Sequence, residues 1–185
     1  RFGIDRIIEF YGASEGNISL TNVDSKFGSI GRIPPYLKSV LPTKVVKFDV
    51  ENEVVIRDEN GFCIECEDGE AGEAIGFIPD DDKFTGKFEG YTDKEATKKK
   101  ILENVFEKGD RWFSSGDLLK IDKQGYYYFV DRIGDTFRWK SENVSTNEVA
   151  EILNSFKQLN MANVYGVKVP ESEGRAGTVS YTHLR

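Results

Sequence analysis

Between Thr43 and Ile78 the chain is written in short β-branched runs, "KVVKFDV", "EVVIRD" and "GEAIGFI", separated by Glu51-Asn52-Glu53 and by glycine-rich turn text. Alternation at a period of two, punctuated by turn residues, predicts a small antiparallel sheet or barrel. In "WFSSGDLLKIDKQGYYYFVDR" two apolar strands flank Asp122-Lys123-Gln124-Gly125, which predicts a hairpin. On its second strand Tyr126, Tyr128 and Val130 face opposite Tyr127 and Phe129, and most of that aromatic surface is expected in the core. Helical spacing occurs twice. In "YTDKEATKKKILENVF", Thr92 and Glu95 form a capping pair, Ala96, Ile101, Leu102 and Val105 form the stripe, and Lys98 to Lys100 form a solvated outer face. In "ENVSTNEVAEILNSF", Ser145 and Glu148 repeat the pair, and Val149, Ile152, Leu153 and Phe156 mark the side expected to be buried. "ANVYGVKVP" then reads as a strand ended by Pro170. A helix and strand after mainly β text predict a second domain, beginning between Asp131 and Val144.

Composition narrows the function classes. With 185 residues, 38% hydrophobic and 31% charged, the chain can bury one core or parts of two. A net charge of -7 argues against nucleic acid as a partner, because an acidic surface repels phosphate. No run reaches the roughly 18 apolar residues needed to span a bilayer, and no signal region opens the chain. It starts at Arg1 without Met and stops soon after "EGRAG", so an excerpt from a longer protein is expected. Cys63 and Cys66 form a C-x-x-C, but on a strand such residues point to opposite faces; two reduced intracellular thiols are expected rather than a zinc or redox site. Asp80, Asp81 and Asp82 read as a solvated turn.

Candidate chemistry lies in three places. In "FYGASEGN", Gly12 and Gly16 allow close backbone approach to a ligand, Ser14 offers a hydroxyl, and Glu15 is a carboxylate of the kind Mg²⁺ takes. In "SSGDLL", Asp117 stands before an apolar strand, where an acid can accept from vicinal sugar hydroxyls. "DRIGDTFRWK" supplies Arg132, whose fork suits a ribose oxygen or phosphate, with Arg138 and Lys140 as further cations and Gly134 beside Asp135 as a swivel. Singly, each is also an ordinary turn or surface ion pair.

In this order the motifs resemble those of the adenylate-forming acyl-CoA synthetases, most closely the fatty acid transport protein and very-long-chain acyl-CoA synthetase branch. The resemblance rests on "EFYGASEGN", on "FSSGDLLKIDKQGYYYFVDR" and on "GDTFRWKSENVSTNEVAEIL", and it runs from residue 1 to about residue 177. It implies an α+β fragment of the adenylate-forming fold. Residues 1–131 would close the large AMP-binding domain, with a β-rich subdomain from about residue 43. Residues 132–143 would be hinge and linker, and residues 144–185 would begin the small α/β C-terminal domain.

The resemblance also implies roles. Tyr11 would pack on adenine, Gly12 and Ser14 would lie by the adenylate phosphate, and Glu15 would bind Mg²⁺. Asp117 would hold both ribose hydroxyls with help from Arg132, Gly134 would be the hinge, and the segment from Arg138 through Ser141 to Asn143 would line the path of CoA. The implied reaction is ATP-dependent activation of a long- or very-long-chain fatty acid through acyl-AMP to acyl-CoA, by an acid-thiol ligase that is incomplete, and expected to be inactive, as this fragment alone. Alternatives are a fatty acid uptake protein with vestigial adenylate binding, or a ligase for bile acid or carnitine-type carboxylates. The parent is expected to be intracellular and membrane-associated, peripherally or by an anchor, at the endoplasmic reticulum, peroxisome or plasma membrane. Two departures stand out. Ser141 occupies a position where the branch usually has Gly, and the tail "TVSYTHLR" reads as foreign to the pattern, so His183 receives no role.

Overall fold

The computed structural model describes residues 3, 8–13, 18–37, 42–79, 100–139, 142–170 and 174–183. They fall into two compact units: Arg1–Lys47 with Val55–Phe129, and Phe48–Val54 with Val130–Arg185.

Among the described residues the first unit is built on an eight-stranded sheet. Its strands are β1 (Phe10–Gly12), β2 (Ser19–Thr21), β3 (Gly31–Arg32), β4 (Thr43–Val46), β7 (Gly72–Phe77), β8 (Ile101–Glu103), β9 (Arg111–Ile121) and β10 (Tyr126–Arg132), whose last residues, from Val130, fall in the second unit. The order across the sheet is β1-β2-β3-β10-β9-β7-β4, with β8 joining β9 beside that path. β5 (Phe48–Asp49) and β6 (Val54–Val55) form a separate two-stranded ribbon that, Val55 apart, falls in the second unit. Period-two alternation sends consecutive residues to opposite faces. Val45 and Ala74 accordingly join a core with Ile18, Leu20, Phe113, Leu119 and Tyr127, while Val46 and Ile75 join a second core with Cys63, Val105 and Trp112. β7 is apolar on both sides because both sides are covered.

The hairpin predicted at Asp122 to Gly125 is present. The Gly125 amide donates to the Asp122 carbonyl at 2.8 Å, and the Asp122 carboxylate accepts from the amides of Gln124 and Tyr126. Tyr126 and Tyr127 are buried, and the Tyr127 hydroxyl donates to the Thr43 carbonyl at 2.9 Å. The two cysteines are free and divide between the cores, Cys63 in the second and Cys66 against the first. Burial raises both thiols, Cys66 to about 12, so neither is a thiolate at neutral pH.

The helix expected at 92–105 is corrected over its described part. Thr92, Glu95, Ala96, Lys98 and Lys99 lie outside the described residues, but Ile101, Leu102 and Glu103 form strand β8, paired with Phe113, Trp112 and Arg111. Val105 follows it as buried loop. Pairing to a long central strand overrides the helical spacing of Ile101 and Leu102, as tertiary context commonly overrides propensity. Asp80 to Asp82 also lie outside the described residues.

The second unit contains β11 (Phe137–Trp139), β12 (Glu142–Val144), helix α1 (Thr146–Asn154), β13 (Leu159–Lys168) and β14 (Arg175–His183). β11 pairs with β12, and β13 with β14, both antiparallel. Ser145 caps α1 as predicted, its Oγ accepting from the Glu148 amide at 3.3 Å. The buried stripe is corrected by half: Val149 and Leu153 are partly buried, whereas Ile152 is 65% and Phe156 55% exposed. Within its unit α1 packs on β13, which covers one side of the stripe. The tail from Thr178 to His183 continues β14 against β13, and Tyr181 meets His183 edge to face. No described helix is long and apolar enough to cross a membrane.

Candidate nucleotide site

The acid of "SSGDLL" is presented by an irregularity in β9. The ladder between β7 and β9 aligns Ile75 with Ser114 and then Glu73 with Leu118, so β7 advances two residues while β9 advances four. The surplus is a bulge carrying Ser115, Gly116 and Asp117, the kind of device that re-aims a side chain beside a site. Gly116 sits there at φ +80, and a Cβ on it would lie 2.7 Å from the Lys100 ammonium nitrogen. The chain needs a glycine before the aspartate to turn this way.

Side chains satisfy the bulge's amides. The Asp117 amide donates to Ser115 Oγ at 3.0 Å. The Gly116 amide donates to Glu73 Oε1 at 3.2 Å, and the Ser114 hydroxyl donates to the same oxygen at 2.5 Å. Lys100 Nζ reaches the Ser115 carbonyl at 3.5 Å. Glu73 is 3% exposed. Burial raises its pKa, and although the Ser114 and Gly116 hydrogen bonds and the Lys100 charge act downward, the net shift is upward, helped by the Asp117 carboxylate.

Tyr11 comes to this acid from 106 residues away: its hydroxyl donates to Asp117 Oδ2 at 2.6 Å. β1 holds Tyr11 by pairing it with Leu20, and Gly12 with Ser19. A Cβ on Gly12 would lie 3.3 Å from the Ile18 carbonyl, a tight approach on the strand that leads into the "ASEG" segment. Tyr11 and Asp117 are thus brought together. Ser14, Glu15 and Gly16 lie outside the described residues.

The remaining candidates belong to the second unit. Arg132 is exposed at the end of β10, and its amide donates to Asp131 Oδ1 at 2.9 Å. Gly134 has φ +97, and space around its Cα is open. Arg138 lies on β11 within 3.7 Å of Glu51, at a cavity of about 430 Å³ lined also by Thr136, Lys168 and Arg175. Lys140 and Ser141 lie outside the described residues.

Two residues escape a reading by motif. Asp131 is 1% exposed, and its carboxylate accepts from the Thr146 amide at 2.7 Å, the Thr146 hydroxyl and the Asn147 side chain. It thereby ties the strand before Arg132 to the start of α1. Glu73 is the other, and a charged residue inside the apolar run "GEAIGFI" was the available signal.

No family profile matches the chain. Among curated proteins it is 47% identical over 180 residues to long-chain fatty acid transport protein 2 of Rattus norvegicus, covering 97% of this chain and 28% of that protein. It is also 47% identical over 177 residues to long-chain fatty acid transport protein 1 of Homo sapiens, covering 96% and 27%. Among solved structures, an o-succinylbenzoate coenzyme A synthetase of Bacillus subtilis in complex with AMP superposes with a TM-score of 0.64 at 21% identity, over 96% of this chain and 31% of that one. An amide bond synthetase of Marinactinospora thermotolerans does so at 0.62 and 23%, over 96% and 32%. The chain thus spans little more than a quarter of the curated relatives it matches. By sequence it belongs, as a partial chain, to the long-chain fatty acid transport proteins, and its fold is similar to those of the solved synthetases on which it superposes.

Proposed function

We propose that the parent protein is an ATP-dependent ligase that activates long- or very-long-chain fatty acids to acyl-CoA through acyl-AMP, and that this segment supplies its AMP-holding wall. The observation that carries the reading is the Tyr11 to Asp117 hydrogen bond. It joins in one place the two residues that the motifs assign to adenine and ribose. A carboxylate has about four lone-pair positions. Tyr11 uses one on Oδ2 and orients the group, and the acid accepts the vicinal ribose hydroxyls.

In this reading Tyr11 lays its ring on the adenine, Gly12 and Ser14 border the phosphate, and Arg132 assists at the ribose. The fatty carboxylate attacks the α-phosphorus and pyrophosphate leaves; the CoA sulfur then displaces AMP. Glu15 has the hard oxygen donor Mg²⁺ requires, and the ion when bound offsets charge on the phosphate oxygens. Residues 1–131 belong to the large domain and residues 144–185 to the small one, with Gly134 in the linker, where its open left-handed conformation tolerates a change of dihedral. Arg138 and Ser141 border the CoA path. The relatives' names favour lipid uptake as a second reading, with membrane association of the parent in either case.

In the full-length parent, Asp117→Ala is expected to lower fatty-acid-dependent AMP formation by ~100-fold or more, since two hydrogen bonds to a charged acceptor are lost. Its far-UV circular dichroism should not change. Wild-type AMP formation would refute the assignment, whereas lipid uptake surviving in the inactive mutant would favour the transport reading.

A further inference from the structure

We propose that Glu73 is a positioning residue for Asp117, a buried acceptor that fixes the β9 bulge so that the acid meets the ribose hydroxyls. The inference rests on the reading of Asp117 as the ribose acid. Glu73 does not reach the nucleotide in this account; it acts through the backbone between Ser114 and Asp117.

A bulge has no ladder partner for its extra residues, so its amides need other acceptors. One oxygen, Glu73 Oε1, accepts from both ends of the irregular stretch, the Ser114 hydroxyl before it and the Gly116 amide within it. Gly116 is in the left-handed region and immediately precedes Asp117, so its orientation sets the direction in which the Asp117 side chain leaves. Lys100 closes the far side by reaching the Ser115 carbonyl, and its charge acts on Glu73 as well. The arrangement explains why a carboxylate that is 97% covered stands near the start of an otherwise apolar strand. An apolar residue would fill the space and leave the bulge without its acceptor.

The test compares AMP with 2′-deoxy-AMP, which lacks one of the hydroxyls at issue, in binding to the full-length parent by titration calorimetry. The ratio of the two dissociation constants is insensitive to fold stability, so a purely structural role would leave it unmoved. Wild type is expected to prefer AMP. Glu73→Leu is expected to lower that preference by ~10-fold, the factor for a carboxylate displaced from one hydrogen bond. Glu73→Gln, which keeps the acceptor oxygen, should restore most of it. If Glu73→Leu keeps the wild-type ratio while Asp117→Ala loses it, the positioning role is overturned and the ribose site stands. If Asp117→Ala also keeps the ratio, the ribose reading itself has failed. A Glu73→Gln protein as indifferent to the 2′-hydroxyl as Glu73→Leu overturns the hydrogen-bond account. Should Glu73→Leu not yield folded protein, Ser114→Ala carries the test. It removes one of the two bonds to the same oxygen, should lower the ratio ~3-fold, and overturns the proposal if it leaves the ratio unchanged.

Discussion

Asp131→Ala should open the start of α1 without changing how the first unit folds. In the wild type the Asp131 carboxylate, 1% exposed, accepts from the Thr146 amide at 2.7 Å, the Thr146 hydroxyl at 3.2 Å and the Asn147 side-chain Nδ2 at 3.3 Å, besides the Arg132 amide at 2.9 Å. The partners differ in what happens to them when the acid is removed. Arg132 and Asn147 are exposed and water can replace the carboxylate there. Thr146 is 9% exposed, so its amide is left unsatisfied at a cost of ~2 kcal/mol, and its hydroxyl, which loses the same acceptor, adds ~1 kcal/mol. Ser145 still caps the Glu148 amide, which keeps the helix from being lost altogether. A local destabilisation of ~3 kcal/mol corresponds to a ~100-fold loss of protection. Hydrogen exchange of peptides covering 146–154, followed by mass spectrometry, reads it directly, with peptides from β7 and β9 as internal controls. Protection within ~5-fold of wild type would refute the reasoning, because it would mean that the buried amide finds another acceptor at a cost below ~1 kcal/mol.

Two further outcomes follow from the same geometry. Tyr11→Phe keeps the ring and removes only the donor to Asp117 Oδ2, so AMP affinity of the parent should fall by no more than ~10-fold. Tyr11→Ala should fall further, and equal losses by calorimetry would show that the hydroxyl rather than the ring matters. Asp110 gives a pH dependence. Burial raises its pKa, but the amides of Phe106, Val105 and Glu107 and the Trp112 indole outweigh that and hold the carboxyl below its ordinary value. A depressed folded pKa gives stability that is present above the unfolded value, ~3.9, and is lost as pH falls through the folded one. Thermal melts of wild type should therefore lose stability faster than those of Asp110→Ala below about pH 4, and parallel losses would contradict the assignment.

Local chemistry was legible in the sequence where the structure is local. The Asp122 to Gly125 turn closes on its own carboxylate, and the Ser145 cap reaches three residues, so both could be read from spacing. Cys63 and Cys66 were expected on opposite faces of a strand and do lie in separate cores, although their segment makes only isolated bridges, Cys63 to Arg57 and Glu65 to Val46, and no strand. The β8 segment shows where this stops. Ile101, Leu102 and Val105 satisfy a helical stripe as well as a strand does, and what decides is Phe113 and Trp112 of β9, which no local window contains. The half-exposed stripe of α1 has the same origin. Spacing marks Ile152 and Phe156 as apolar, whereas burial depends on which side of the helix another element covers.

The candidate site divides along the same line, and the division bears on how its motifs should be read. Gly116 and Asp117 are visible as a pair because the turn needs a residue free to adopt φ +80 immediately before the acid. The bulge that gives this pair its meaning is a mismatch between two strands 41 residues apart, and a sequence does not display a mismatch. It displays only the consequence, a glutamate at a strand position where neighbours on both sides are buried. A buried charge in an apolar run is costly unless something accepts or donates to it. Glu73 is therefore better read as an acceptor in search of donors than as a break in the hydrophobic pattern, and Ser114 and Gly116 are those donors. On this reasoning the acid that meets the ligand and the acid that holds it in place carry different signatures, a glycine beside the first and an interrupted strand around the second.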